Sequence, residues 1–209
     1  MLQGGVTVAG IILAGGRSSR MAGEDKAAAL LAGEPLVVHA ARRLRPQVAG
    51  MALSTNGGAA RHLLADADPL ADADDSRAGP LAGILAGLHW ALALPSPPDA
   101  LVSVAVDTPF FPGDLVKRLA ATAAAGPAGT IAVAASLGAR HPTFALWPLG
   151  LAGDLASYLD GGARRVGGFI ERHPHADVEF DATGGLDPFF NINTPADLAE
   201  AEIMMRRQP

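Results

Sequence analysis

Nine consecutive residues, Val6-Thr7-Val8-Ala9-Gly10-Ile11-Ile12-Leu13-Ala14, are apolar or small without alternation and stop at Gly15-Gly16. A strand with one wet face alternates; a continuous apolar run fits a strand covered on both faces. Met51-Ala52-Leu53-Ser54, residues 101–106 and residues 130–135 are further strand candidates, and residues 141–147 and 177–180 complete the set. Helices are predicted over residues 35–48, from Gly79-Pro80 through Leu92, over about 113–125 and over 195–205. Pro35 suits a first turn, and Leu81, Ile84, Leu85, Leu88 and Leu92 keep the 3–4 spacing of one buried face. Strands alternating with helices imply an α/β chain whose mostly parallel sheet is covered on both sides. Ligands of such sheets bind outside the carboxyl ends of the strands. The loops after Ala14, Ser54, Leu70 and Val106 are therefore expected to converge on one site. No internal repeat or long linker interrupts the 209 residues.

Composition narrows the chemistry. Net charge is −5, which disfavours a broad nucleic-acid-binding face. With no cysteine there is no disulfide, thiolate metal site or cysteine nucleophile. The start, Met-Leu-Gln-Gly-Gly, lacks the basic flank and apolar core of an export signal, and the longest apolar stretch, residues 81–94, includes His89. It is shorter than the ~18 residues of a membrane span, so a soluble, cytoplasmic protein is expected. There are 43 alanines but only two lysines, Lys26 and Lys117, and three asparagines, Asn56, Asn191 and Asn193. Where rare residue types persist, a specific requirement gains weight.

The loop Leu13-Ala14-Gly15-Gly16-Arg17-Ser18-Ser19-Arg20-Met21-Ala22-Gly23-Glu24-Asp25-Lys26 follows the first strand directly. Paired glycines let the backbone approach a ligand and aim N–H groups at an anion, and Arg17, Arg20 and Lys26 add charge suited to phosphates. The spacing is neither that of a Walker loop nor that of the dinucleotide fingerprint. A solvated glycine-rich surface loop is the plainer alternative. Asp107 ends the clearest strand, where a carboxylate can hold Mg²⁺ or cap the turn at Thr108-Pro109. Asn191-Ile192-Asn193-Thr194-Pro195 holds two of the three asparagines; Thr194 before Pro195 reads as a helix cap, which accounts for neither asparagine. Gly79-Pro80-Leu81-Ala82-Gly83 opens a helix whose backbone could meet a base or phosphate, or simply join loop to helix. His173 and His175 flank Pro174 without a third metal ligand nearby, and no Gly-x-Ser-x-Gly elbow exists.

The loop LAGGRSSRMAGEDK resembles the signature of nucleotidyltransferases, and its LAGG form is similar to the molybdenum cofactor guanylyltransferase (MobA) family. AGPLAGILAGL, VDTPFFPGDL, RHPTFALW, GARRV and FNINTPADL follow in that family's order. The resemblance implies a single Rossmann-like, three-layer α-β-α nucleotidyltransferase domain over residues 1–209. It also implies GMP transfer from GTP to molybdenum-molybdopterin with Mg²⁺. Implied catalytic residues are Lys26, Asp107, Asn193 and Arg20, with Asp107 on the metal. Leu13, Ala14, Gly15, Gly16, Lys26, Ser54, Asn56, Asp72, Gly79 and Asp107 would meet the nucleotide, and Arg165, Asn191 and Asn193 the acceptor.

Two positions depart from the family pattern. Ala22 stands where glycine is frequent, and Ser54 where an asparagine commonly binds nucleotide, leaving Ser54 or Asn56 for that contact. Among Asp66, Asp68, Asp72, Asp74 and Asp75 the register stays open. Arg164-Arg165 are read on a helix, with at most one facing the site, and His141 as structural. Implied partners are GTP, molybdenum-molybdopterin, molybdopterin-handling proteins and molybdoenzyme chaperones, with no nucleic acid or membrane. A cytidylyl- or uridylyltransferase of a related pterin or sugar phosphate, and a catalytically silent nucleotide-binding module, are the alternatives.

Overall fold

The computed structural model describes residues 6–15, 26–55, 59–71, 79–182 and 186–207. Strand β1 (Val8–Leu13) is buried at all six positions, as its unbroken apolar run requires. Then come a small hairpin, β2 (Leu30–Leu31) with β3 (Glu34–Pro35), helix α1 (Leu36–Leu44), β4 (Met51–Ser54) and β5 (Asp68–Leu70). The chain continues through α2 (Pro80–Ala93), β6 (Ala100–Ala105), α3 (Leu115–Ala125), β7 (Ile131–Ser136) and β8 (Ala139–Pro148). It ends with α4 (Ala152–Asp160), α5 (Val166–Ile170), β9 (His175–Glu179) and α6 (Pro195–Arg207).

Seven strands form one sheet in the order β5-β4-β1-β6-β8-β7-β9. Only β8 runs against its neighbours; the other six are parallel. Successive side chains of a strand face opposite sides, and the core divides accordingly. Val8 and Ile12 of β1 join Val102, Val104, Ala132 and Phe144 against α1 and α3. Ala9, Ile11 and Leu13 join Leu101, Val133, Ala145 and Trp147 against α2, α4 and α5. This is the three-layer α/β architecture expected from the sequence. The Trp147 indole N–H donates to Ser103 Oγ at 2.9 Å and that hydroxyl to the Thr143 carbonyl at 2.8 Å, so the buried polar atoms joining β6 and β8 are paired.

Helix α2 approaches the sheet closely because of two glycines one turn apart. A Cβ on Gly83 would stand 2.5 Å from Ser54 Oγ, and one on Gly87 2.7 Å from Ile11 Cδ1. Gly83 and Gly87 of the AGPLAGILAGL motif thus serve packing.

Several boundaries shift from the sequence reading. The predicted helix over 35–48 stops at Leu44, and a 3-10 turn over Arg45–Gln47 follows, because Pro46 cannot donate in a continuing helix. Val6 and Thr7 are exposed and lie outside β1. The β2–β3 hairpin, α4 and α5 were absent from the prediction. Arg164 and Arg165 are not helical: they occupy the turn between α4 and α5, with Arg165 just before α5.

Candidate active site

The exits of the four neighbouring parallel strands are tied to one another by main-chain bonds. Thr55 N–H donates to the Leu70 carbonyl, Ala14 N–H to Ser54 and Val106 N–H to Leu13, over 3.0, 2.9 and 3.2 Å. The ends of β5, β4, β1 and β6 therefore lie side by side, as the strand pattern predicts. Asp107 follows Val106 directly, so the fold places its carboxylate on this rim.

Lys26 opens the 3-10 turn Lys26–Ala28, whose next residue, Ala27, is fully buried and anchors it. Its ammonium donates to Asp107 Oδ2 at 2.6 Å and to Asn193 Oδ1 at 2.8 Å. The Lys26 and Asp107 side chains are only 16% and 19% exposed, so water screens the pair incompletely. Thr108 Oγ1 donates to Asp107 Oδ1 at 3.3 Å.

The third partner arrives on a clamped segment. Ile192 is fully buried, and its N–H donates to the Asp107 carbonyl at 2.8 Å. Asn191 and Asn193, on either side of it, are exposed. Asp197 then accepts the N–H groups of Asn193 and Thr194, both at 2.8 Å, while its own N–H donates to Thr194 Oγ1 at 3.2 Å. This is a reciprocal cap at the start of α6. The Asn193 N–H, followed by Thr194 and the Lys26 charge, holds the Asp197 carboxyl below the usual range. Asp197 was missed in the sequence, although Thr194-Pro195-Ala196-Asp197 carries the spacing of a capping box.

Of the other predicted residues, Leu13 lends its carbonyl to Val106 and its side chain to the contact with Gly83, and Ala14 commits its N–H to Ser54. Gly15 follows, half-buried. Ser54 is 1% exposed, with its hydroxyl against Gly83, so its side chain lies beneath α2. Gly79 takes φ +61 and ψ −152, a conformation that requires glycine, and directs the chain into α2 at Pro80. Among the described residues no side-chain hydrogen bond caps that helix start. Gly16, Arg17, Arg20, Asn56 and Asp72 lie outside the described residues. Asp66 pairs with Arg45, and Asp68 accepts the Trp90 indole N–H.

Arg164 donates to the carbonyls of Leu159 and Ala163 and closes the end of α4. Arg165 is exposed, and its carbonyl accepts the Tyr158 hydroxyl. β8 finishes at the amino edge of the sheet, where Pro148 pairs with Ala100, and α4 follows it before this turn. Among the described residues no group of three His, Cys, Asp or Glu side chains forms a metal cluster, and no helix is long and apolar enough to cross a membrane.

A lysine, a carboxylate and an amide thus converge on the carboxyl rim of a largely parallel sheet, the edge at which folds of this class bind their ligands. The family model for the MobA-like NTP transferase domain matches residues 10–176, and the chain belongs to that family. The molybdenum cofactor guanylyltransferase of Mesorhizobium japonicum is 50% identical over 202 residues, covering 95% of this chain and 96% of its own. The protein of that name from Cereibacter sphaeroides is 47% identical over 198 residues, covering 95% and 97%. In fold, the chain is similar to molybdopterin-guanine dinucleotide biosynthesis protein A from Archaeoglobus fulgidus, with a TM-score of 0.72 at 22% identity over 96% of this chain and 100% of that one.

Proposed function

We propose that this protein transfers GMP from GTP to the terminal phosphate of molybdenum-molybdopterin, releasing pyrophosphate and forming the guanine dinucleotide cofactor. The observation that carries this reading is the Lys26 ammonium held between Asp107 and Asn193 on the sheet rim, in a chain 50% identical to a molybdenum cofactor guanylyltransferase. An oxygen of the acceptor phosphate bonds to the α-phosphorus as the bond to the bridging oxygen breaks, and pyrophosphate leaves with that electron pair. The acceptor is anionic near neutral pH, so no general base is needed. The protein's task is positioning and supply of positive charge.

Lys26 is suited to that task. An ammonium has three N–H donors; two meet Asp107 and Asn193, leaving a third for a phosphate oxygen. Leu13, Ala14, Gly15 and Gly79 frame the nucleotide with main chain, and Gly16, Arg20 and Asp72 keep the roles the family resemblance implies. Of Ser54 and Asn56, the reading assigns the side-chain contact to Asn56, because the Ser54 hydroxyl is buried against Gly83. Arg165, Asn191 and Asn193 form the acceptor side.

Mg²⁺ suits the donors present. The ion takes oxygen ligands, commonly one or two carboxylates completed by water and substrate phosphates. Asp107 and Asn193 offer a carboxylate and an amide oxygen that already converge on one cationic nitrogen. Asp107 would hold the ion, with Asn193 beside it. Bound there, Mg²⁺ would supply neutralising charge for the phosphate chain and the departing pyrophosphate. Work in the cytoplasm alongside molybdopterin-handling proteins and molybdoenzyme chaperones belongs to the same reading.

The test is pyrophosphate release by the purified protein with GTP, CTP, UTP and ATP in turn, each with and without acceptor and Mg²⁺. Release is expected with GTP only, and only when acceptor and Mg²⁺ are both present. Equal or faster turnover with CTP or UTP, or no release at all, overturns the reading.

A further inference from the structure

A hydrogen-bonded chain on the neighbouring rim, between β7 and β8, is not used by the proposed chemistry. Ser136, the last residue of β7, is 1% exposed. Its hydroxyl donates to Asp187 Oδ1 at 2.7 Å and lies 2.7 Å from Nε2 of His141. A hydroxyl has one proton and an ionised carboxylate only accepts, so the hydrogen of the second bond sits on His141 Nε2. The order differs from that of a hydrolytic triad, where the imidazole stands between hydroxyl and carboxylate and takes the hydroxyl proton. Here serine is the middle member and donates its one O–H to the carboxylate as a hydrogen bond. It acts as a bridge, not a nucleophile.

The bridge leads into the segment that carries the asparagines. Asp187 Oδ1 also accepts the Phe189 N–H at 2.9 Å. Phe189 is 4% exposed, and the His141 ring stacks on it with centroids 4.4 Å apart. A register shift between Val133 and Ala134 frees β8 around Pro142 and returns His141 to pairing opposite Ala134, beside this segment. Ile192 then fixes the chain to the Asp107 carbonyl, and Asn193 reaches Lys26.

We propose that Ser136, Asp187 and His141 are positioning residues that hold residues 187–193 where Asn193 can meet Lys26 and Asp107. The consequence for turnover rests on the guanylyl-transfer reading above; the mechanical claim does not. Groups that orient site residues through hydrogen bonds contribute about 10- to 100-fold to activity at metal sites, and the same range is expected here.

The experiment compares wild type with Ser136→Ala, Asp187→Ala, Asp187→Asn and His141→Phe by hydrogen–deuterium exchange of the 189–193 amides and by steady-state kinetics with GTP, acceptor and Mg²⁺. Ser136→Ala and Asp187→Ala should speed exchange across 189–193 and lower kcat about 10- to 100-fold, with KM for GTP unchanged. Asp187→Asn keeps an oxygen for the Ser136 hydroxyl and the Phe189 N–H, so it should restore most of the protection and rate. His141→Phe keeps a ring over Phe189 and removes only the bond to Ser136; it carries the test if Ser136→Ala does not fold, and should also speed exchange. Unchanged exchange in the folded variants, faster exchange with unchanged kcat, or Asp187→Asn as damaging as Asp187→Ala overturns the proposal. If wild type shows no GTP-dependent transfer, the functional reading fails and the exchange comparison alone decides the positioning claim.

Discussion

Lys26 and Asp107, 81 residues apart in the chain, meet at 2.6 Å on the carboxyl rim of the sheet. Asn193, 167 residues from the lysine, closes on the same ammonium at 2.8 Å. The structure thus holds a cation between a carboxylate and an amide on this rim. On the proposed reading, an approaching phosphate competes with Asp107 for that charge.

Replacing Asp107 with Asn removes the anion while keeping the shape. Transition-state charge stabilisation by a single group is commonly worth about 10²–10³ in rate, and pyrophosphate release should fall by that much. The fold should survive, because Asp107 contributes a side chain at the rim and a carbonyl that Asn retains. Calorimetry checks the second point: a cost of ~1 kcal/mol corresponds to a melting shift of about 2–4 °C in a chain this long.

Lys26→Met keeps the apolar stem and deletes the charge. The Asp107 carboxylate and the Asn193 oxygen then lose a shared donor. The binding of GTP should weaken, read as smaller thermal stabilisation by the nucleotide. Lys26→Arg should not restore full activity, because no single guanidinium nitrogen carries three N–H groups to share among three acceptors.

Two glycine substitutions should move stability in opposite directions. A Cβ on Gly83 would lie 2.5 Å from Ser54 Oγ and 2.9 Å from Leu13 Cδ2, so Gly83→Ala forces α2 off the sheet. Overpacking of this kind costs about 1–3 kcal/mol. Gly153, inside α4, has nothing within 4 Å of an added Cβ, and Gly153→Ala should stabilise by roughly 0.5–1 kcal/mol. Urea denaturation midpoints of the two variants against wild type check both signs.

His141 gives stability a pH dependence on the mildly acidic side. Burial holds its imidazole below the usual value of 6.5, against the opposing pull of Asp187 and Glu179. In the window between the depressed folded value and 6.5, the unfolded chain binds more protons, so stability falls as pH falls through it. His141→Phe should flatten the curve there. Asp197, held below its ordinary 3.8, adds stability that is complete above that value and is lost as pH falls further. Its contribution therefore appears in a separate, more acidic limb, which Asp197→Asn should remove. Denaturation midpoints measured across both ranges resolve the two.

The elements legible in the sequence are those where one physical demand acts alone. β1 needs both faces apolar, and its run shows nothing else; the positions of Lys26 and Asp107 follow from that strand and from β6. Helices α4 and α5 were hidden because Gly150, Gly153, Gly161, Gly162, Gly167 and Gly168 interrupt any helical period, and the packing of Leu155, Tyr158 and Phe169 against the sheet overrides that local preference. The end of α1 at Leu44 is legible in Pro46 itself, whose missing N–H stops the helix there. The bond from Ser136 to Asp187 spans 51 residues and has no sequence pattern at all. Such a contact exists only once β7, β8 and the following loop are packed.

The seven-stranded sheet is complete at Glu179, yet Asn193 comes later in the chain. A product ending between those two residues would own every strand and both halves of the ion pair, but not the amide that finishes the cluster or the α6 cap behind it. On the proposed reading, transfer activity therefore needs residues made after the last of the seven strands, and a stop between Glu179 and Asn193 should yield a sheet without that activity.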